Sequence, residues 1–245
     1  MRHPELPREG NGLPAASLEG AVTSVRAAPG PSAGPSACTA ARTAAQVAVA
    51  VLAAGASRRM GVPKLLVPFG ASTLLGRAVE AAQESGAGLV FVVTGAYHGE
   101  MRERLSEARV AVVRNAQWDE GQSTSIRTAV RFCEQRGFDA LLVMVADQPF
   151  VEASHLRALM ECYRIRPGDV FVTEAGVRRG NPCLFNAHSF DALKALEGDE
   201  GARRLFADAS EGHGLRVCPV PCDDKRVFED VDTPADLHRL EADLR

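Results

Sequence analysis

The chain has 245 residues, 46% of them hydrophobic and 24% charged, with a formal net charge of −3. That length and balance suffice for one domain with a sizeable core, and the near-neutral charge without long basic runs excludes a dedicated nucleic-acid surface. No apolar run approaches the roughly 18 residues that a membrane helix needs, and no basic flank precedes an apolar leader, so a cytoplasmic protein is expected. Six cysteines without regular spacing fit reduced thiols better than a disulfide framework. Cys218 and Cys222 in "CPVPC" lack the second ligand pair that a zinc site requires.

In chain order, residues 1–46 are rich in Pro, Gly, Ala and Ser and carry no apolar face. Such a segment cannot bury enough surface to offset the entropy of ordering it, which predicts a disordered extension with the folded domain over 47–245. "VAVAVL" (47–52), "LVFVV" (89–93), "VAVV" (110–113) and "LLVMV" (141–145) are apolar on both faces and read as buried parallel strands. Between them, "STLLGRAVEAAQES", "HGEMRERLSEA" and "STSIRTAVRFCEQ" carry apolar residues at helical spacing. The alternation predicts an α/β fold: a doubly wound, mostly parallel sheet with helices on both faces. The second half is less regular, with a helix in "EASHLRALMECY", strands in "DVFVT", "NPCLF" and "LRVCPV", a helix near "SFDALKAL" and a last helix from Pro234.

Ligands of open α/β sheets sit beyond the carboxyl ends of the strands, which directs attention to the loop "AAGASRRMGVPK" after Leu52. Its glycines let backbone amides approach an anion, and Arg58, Arg59 and Lys64 supply positive charge. A Walker loop is excluded, because five residues separate Gly55 from Gly61 and Leu65, not Ser or Thr, follows Lys64. The dinucleotide fingerprint is absent as well. A nucleophile elbow needs a second glycine where Arg59 stands. His98, His155 and His238 fall on predicted helices with no partner visible in the sequence and are expected to face solvent. Ser123, Thr124 and Ser125 open a predicted helix after Gly121, where hydroxyls normally cap. Asp147 follows a central strand, where an aspartate is either a helix cap or a ligand. Asp232 in "DVDTPADL" carries the same two readings.

"LAAGASRRMGVPK" resembles the signature L-A-A-G-x-S-x-R-M-G-x-P-K of the MobA-like nucleotidyltransferases, particularly the molybdenum cofactor cytidylyltransferase branch. The likeness continues in "NAQWDEGQSTSI", "DQP", "GNPCLF", "GDEGAR" and "DVDTPADL", leaving only residues 1–46 outside it. The resemblance implies a Rossmann-like nucleotidyltransferase fold and a loop that holds a nucleoside triphosphate. Ala53, Ala54 and Gly55 would then meet base and ribose, Arg59 and Lys64 would bind phosphates and act in catalysis, and Gly121 and Ser125 would contact nucleotide. Asp147 and Asp232 would hold Mg²⁺, with Asp230 in reserve. Asn181 stands where the family usually has His, and Arg58 falls on a variable position.

The implied reaction moves CMP from CTP to the phosphate of molybdenum-molybdopterin, giving molybdopterin cytosine dinucleotide and pyrophosphate, with a molybdoenzyme or its chaperone as a further partner. CTP in place of GTP rests on Ala54, since the guanylyl branch has glycine there. A sugar or other small phosphate as acceptor, and a non-catalytic carrier of finished cofactor, are the alternatives. The aspartate pair with Lys64 favours catalysis, which a carrier does not need.

Overall fold

The computed structural model describes residues 46–207 and 214–244; the segment expected to be disordered lies, but for Gln46, outside them. β1 (Val47–Ala53) is buried along its whole length, as its run of Val, Ala and Leu requires. A hairpin of β2 (Pro68–Phe69) and β3 (Ser72–Thr73) leads into α1 (Leu74–Glu84), whose first turn is capped by the Thr73 hydroxyl accepting from the Gly76 amide. Then come β4 (Leu89–Thr94), α2 (His98–Arg104), β5 (Ala111–Arg114), α3 (Gln122–Gln135), β6 (Ala140–Val145) and α4 (Ala153–Ile165). The second half adds β7 (Val170–Ala175), β8 (Arg178–Asn186), α5 (Phe190–Lys194), α6 (Arg204–Ala207), β9 (Val217–Pro221) and α7 (Pro234–Ala242).

Seven strands form one sheet in the order β5-β4-β1-β6-β8-β7-β9. All pairs are parallel except those of β8, which runs antiparallel to both β6 and β7. Alternate residues of β1 serve opposite faces. Val47, Val49, Val51 and Ala53 join one apolar cluster with Leu75 and Leu156, and Ala48, Ala50 and Leu52 join another with Ile126 and Leu193. Helices α1 and α4 contact each other over the first face, α3 and α5 over the second. This is a doubly wound, mostly parallel α/β sheet with helices on both faces, as one domain.

One strand expectation needs correction, and the strand over "NPCLF" is found but extended. β5 is only half-buried, because it lies at the sheet edge with a single neighbour. β8 is longer than "NPCLF" and antiparallel, since a short connection from Ala175 to Arg178 leaves no room for a crossover. The histidines also differ. His98 is half-buried with Nδ1 2.7 Å from the Thr94 hydroxyl, and burial pulls its pKa down. His155 closes the α4 capping box by accepting from the Glu152 amide at 3.0 Å. Of the three, His238 alone is exposed.

Candidate active site

The parallel strands end at a cleft of about 620 Å³ whose lining includes Ala53, Ala54, Gly55, Arg59, Lys64, Gly121, Ser125, Asp147 and Asp232. Every residue named from the sequence for nucleotide or metal therefore reaches one place; Asp230, the reserve, lines a neighbouring cavity.

The loop from Ala54 to Lys64 is pinned from both ends. The Ala54 carbonyl accepts from the Ala96 amide at 3.2 Å, and the Tyr97 hydroxyl donates to the Ala56 carbonyl at 3.0 Å. Ser57 takes a left-handed φ of 51°, uncommon for a residue with a Cβ and a mark of local constraint. Its side-chain oxygen accepts from the Lys64 amide at 3.2 Å, drawing the two ends of the turn together. The Lys64 ammonium then donates to Asp147 Oδ2 at 2.8 Å, Asp232 Oδ1 at 3.0 Å and the Val231 carbonyl at 2.8 Å.

Asp147 and Asp232 meet because the Val231 amide donates to the Asp147 carbonyl at 3.0 Å, fastening the segment before α7 to the loop after β6. Arg59 reaches the other oxygen of Asp232 at 2.9 Å. Thr233, not Asp232, caps α7, and Asp236 completes its capping box. The carboxylate of Asp232 is thereby left for the cleft. Burial alone would lower the pKa of Lys64, but the charges and hydrogen bonds of Asp147 and Asp232 outweigh it, and the net shift is upward. Lys64 is a fixed cation at neutral pH.

On the opposite wall, Gly121 precedes α3 with φ 113°, and a Cβ there would lie 2.2 Å from the Gly198 backbone. Only glycine fits that approach, in which the Ser123 amide donates to the Gly198 carbonyl at 3.1 Å. The expected hydroxyl cap is replaced by Gly121, with no side-chain cap bond. The hydroxyls instead sit inside the first turn, where the Asn115 amide donates to Thr124 at 2.8 Å and to Ser125 at 3.0 Å. Asn115, Trp118 and Asp199 escaped sequence reasoning as individual residues. Asn115 opens "NAQWDEGQSTSI" and Asp199 lies in "GDEGAR", so the segments were visible while the side-chain roles were not. Trp118 packs against Gly95, where an added Cβ would lie 2.6 Å from the Trp118 Cβ.

The carboxylates suit a hard divalent cation. Both hold a point now taken by the Lys64 nitrogen, a cationic stand-in, and supply the oxygen ligands that Mg²⁺ or Mn²⁺ prefers. No cluster of three or more His, Cys, Asp or Glu forms a metal site among the described residues, so the protein would provide few ligands and leave the rest to phosphate and water. Arg59 and Lys64 face the same cleft and can bind phosphate oxygens.

A doubly wound sheet with a cationic loop and an aspartate pair beyond its carboxyl ends can hold a nucleotide and its phosphates, and the comparisons with known proteins make this chain a nucleotidyltransferase. Residues 49–214 match the profile of the MobA-like NTP transferase domain, and the chain belongs to that family. It is 31% identical over 191 residues to the purine catabolism protein PucB of Bacillus subtilis, covering 75% of this chain and 90% of that one. It is 28% identical over 199 residues to nicotine blue oxidoreductase of Paenarthrobacter nicotinovorans, covering 78% and 94%. Among solved structures, Rv0371c of Mycobacterium tuberculosis in complex with manganese is similar at 27% identity and a TM-score of 0.68, over 80% of this chain and 98% of that one. No helix among the described residues is long and apolar enough to cross a membrane.

Proposed function

We propose that this chain transfers CMP from CTP to the phosphate of molybdenum-molybdopterin, with Mg²⁺, in the cytoplasm. The observation that carries the reading is the Lys64–Asp147–Asp232 triad beneath the cationic loop. A phosphate oxygen of the acceptor attacks the α-phosphorus of CTP; the new P–O bond forms as the bond to the bridging oxygen of pyrophosphate breaks. Catalysis of such a step is mainly alignment and charge stabilisation. Lys64 moves from the carboxylates to the phosphates as substrate enters, and Arg59 leaves Asp232 to hold the departing pyrophosphate. Asp147 and Asp232 would hold Mg²⁺, which neutralises phosphate charge. Ala54, with Gly55, borders the base, where its methyl group narrows the space for a purine. A relative, the probable molybdenum cofactor guanylyltransferase of Opitutus terrae, is 26% identical over 196 residues, covering 78% of this chain and 92% of that one, and supports a molybdopterin acceptor.

The test is pyrophosphate release with Mg²⁺, CTP or GTP, and molybdenum-molybdopterin or a sugar phosphate. Release with CTP and molybdenum-molybdopterin, lost in Asp147→Asn, is expected. Release with GTP alone would overturn the base assignment, and release with sugar phosphate alone the acceptor. A redox activity without any pyrophosphate release would overturn transfer itself.

A further inference from the structure

The wall of the cleft opposite the cationic loop holds an aromatic residue that takes no part in the charge chemistry of the triad. Trp118, the single tryptophan of the chain, is half-buried and lines the cleft together with Asp119, Gln122 and Asp199. It opens one turn of 3₁₀ helix over Trp118–Glu120. That turn is braced: the Asn115 side-chain oxygen accepts from the Gln117 amide at 3.0 Å, and the Thr124 hydroxyl shares its hydrogen between the Gln117 and Gly121 carbonyls at 2.9 and 2.8 Å. Asn115 is itself buried, and its backbone amide donates to the Thr94 carbonyl at 2.8 Å. The indole therefore stands on a fixed support.

Gly95 sets where it stands. A Cβ on Gly95 would lie 2.6 Å from the Trp118 Cβ, 2.8 Å from its Cγ and 2.5 Å from the Ala54 carbonyl oxygen. Trp118 and Ala54 thus meet over the one residue small enough to admit both, which puts the tryptophan beside the segment that would border the base. The charges of the cleft supply a direction. Arg59 and Lys64 stand on one side, while Asp119 and Asp199, exposed and without an ion-pair partner among the described residues, accompany Trp118 on the other. A triphosphate is drawn to the first side and repelled by the second, which leaves the aromatic wall to the uncharged end of a nucleotide.

We infer that Trp118 is the platform on which the nucleobase stacks, so that the indole holds the base while the Ala54 methyl limits its size. The inference rests on the nucleotide-binding reading of the cleft and adds a residue that acts on affinity and not on the choice of base. Every base has a π-face, and stacking on an aromatic side chain tolerates base identity, whereas a methyl group discriminates through room. The ligand class of this wall is a planar heteroaromatic ring joined to a polyphosphate. A polyphosphate alone has nothing to place there.

The experiment measures binding with Mg²⁺ and no acceptor, so that no turnover intervenes, for wild type, Trp118→Phe and Trp118→Leu against CTP, GTP and inorganic tripolyphosphate. Isothermal titration calorimetry is expected to show the Kd of both nucleotides raised by about tenfold in Trp118→Leu, with that of tripolyphosphate within about twofold of wild type. Trp118→Phe keeps an aromatic face and is expected to recover most of the loss. In wild type, CTP and GTP should quench the emission of the single tryptophan and tripolyphosphate should leave it unchanged. An unchanged Kd for CTP in Trp118→Leu, an equal weakening of tripolyphosphate, no recovery in Trp118→Phe, or CTP binding without any change in emission would each overturn the platform. A loss confined to one nucleotide would overturn the division of roles with Ala54. Trp118-dependent binding of CTP by a protein that releases no pyrophosphate with any acceptor would remove the transfer reading and leave the platform standing.

Discussion

Lys64→Met removes the cation that holds two carboxylates together. The Nζ is 2.8 Å from Asp147 Oδ2 and 3.0 Å from Asp232 Oδ1, which leaves those oxygens roughly 5 Å apart. At an effective dielectric of about 20, two unit negative charges at that distance repel by about 3 kcal/mol. The aspartate side chains are 27% and 36% exposed and Arg59 stays paired with Asp232, so water and that guanidinium together screen the repulsion to about 1–2 kcal/mol. For a chain of this size that lowers the melting temperature by about 2–8 °C without metal. Added Mg²⁺ then raises the melting temperature of the variant more than that of wild type, because no lysine competes for the carboxylates. Activity falls in the same variant by about 10²–10³, the usual cost of one charge-stabilising donor. Differential scanning calorimetry with and without Mg²⁺, alongside pyrophosphate release, reads both effects. A variant as stable as wild type that gains nothing from Mg²⁺ would refute the account of the triad.

The same pair fixes a pH dependence. The folded pKa of Lys64 lies above the ordinary 10.5, so its stabilising contribution is complete below that value and is lost as pH rises through the folded pKa. The stability gap between wild type and Lys64→Met should stay flat from about pH 7 to 9.5 and close at higher pH in denaturant titrations; a gap that closes near neutrality contradicts the pairing. Gly121→Ala forces a Cβ to 2.2 Å from the Gly198 backbone at a φ of 113°, and a loss of about 2 kcal/mol or more is expected, with a raised KM for nucleotide. A melting temperature equal to wild type would show that the Gly121–Gly198 contact is looser than described. Ala54→Gly is expected to shift the GTP-to-CTP ratio of kcat/KM toward GTP by about tenfold, and an unchanged ratio would place base selection elsewhere.

The first half of the fold was legible because its strands are buried on both faces. Continuous Val, Leu and Ala runs separated by helical spacing admit few other architectures, and β1, β4 and β6 lie where that pattern put them. The edge position of β5 and the reversal of β8 were not legible, since local pattern carries no record of how many neighbours a strand has or which way the chain re-enters the sheet. Capping chemistry was partly visible: the Thr-Pro start of α7 is written in the sequence, but the replacement of a hydroxyl cap by Gly121 depends on the Gly198 backbone, far along the chain.

The sequence by itself determined the family and the residues of the loop and walls that line the cleft, because order and spacing within short segments survive without coordinates. Tertiary structure alone decided how those segments combine. The bond from the Val231 amide to the Asp147 carbonyl brings together two aspartates 85 positions apart and makes Lys64 their common partner. The antiparallel run of β8 carries Arg178 to a cavity beside the cleft that also receives Arg203 and Asp230. Such convergence follows from long-range hydrogen bonds and sheet order, which no local pattern of residues encodes.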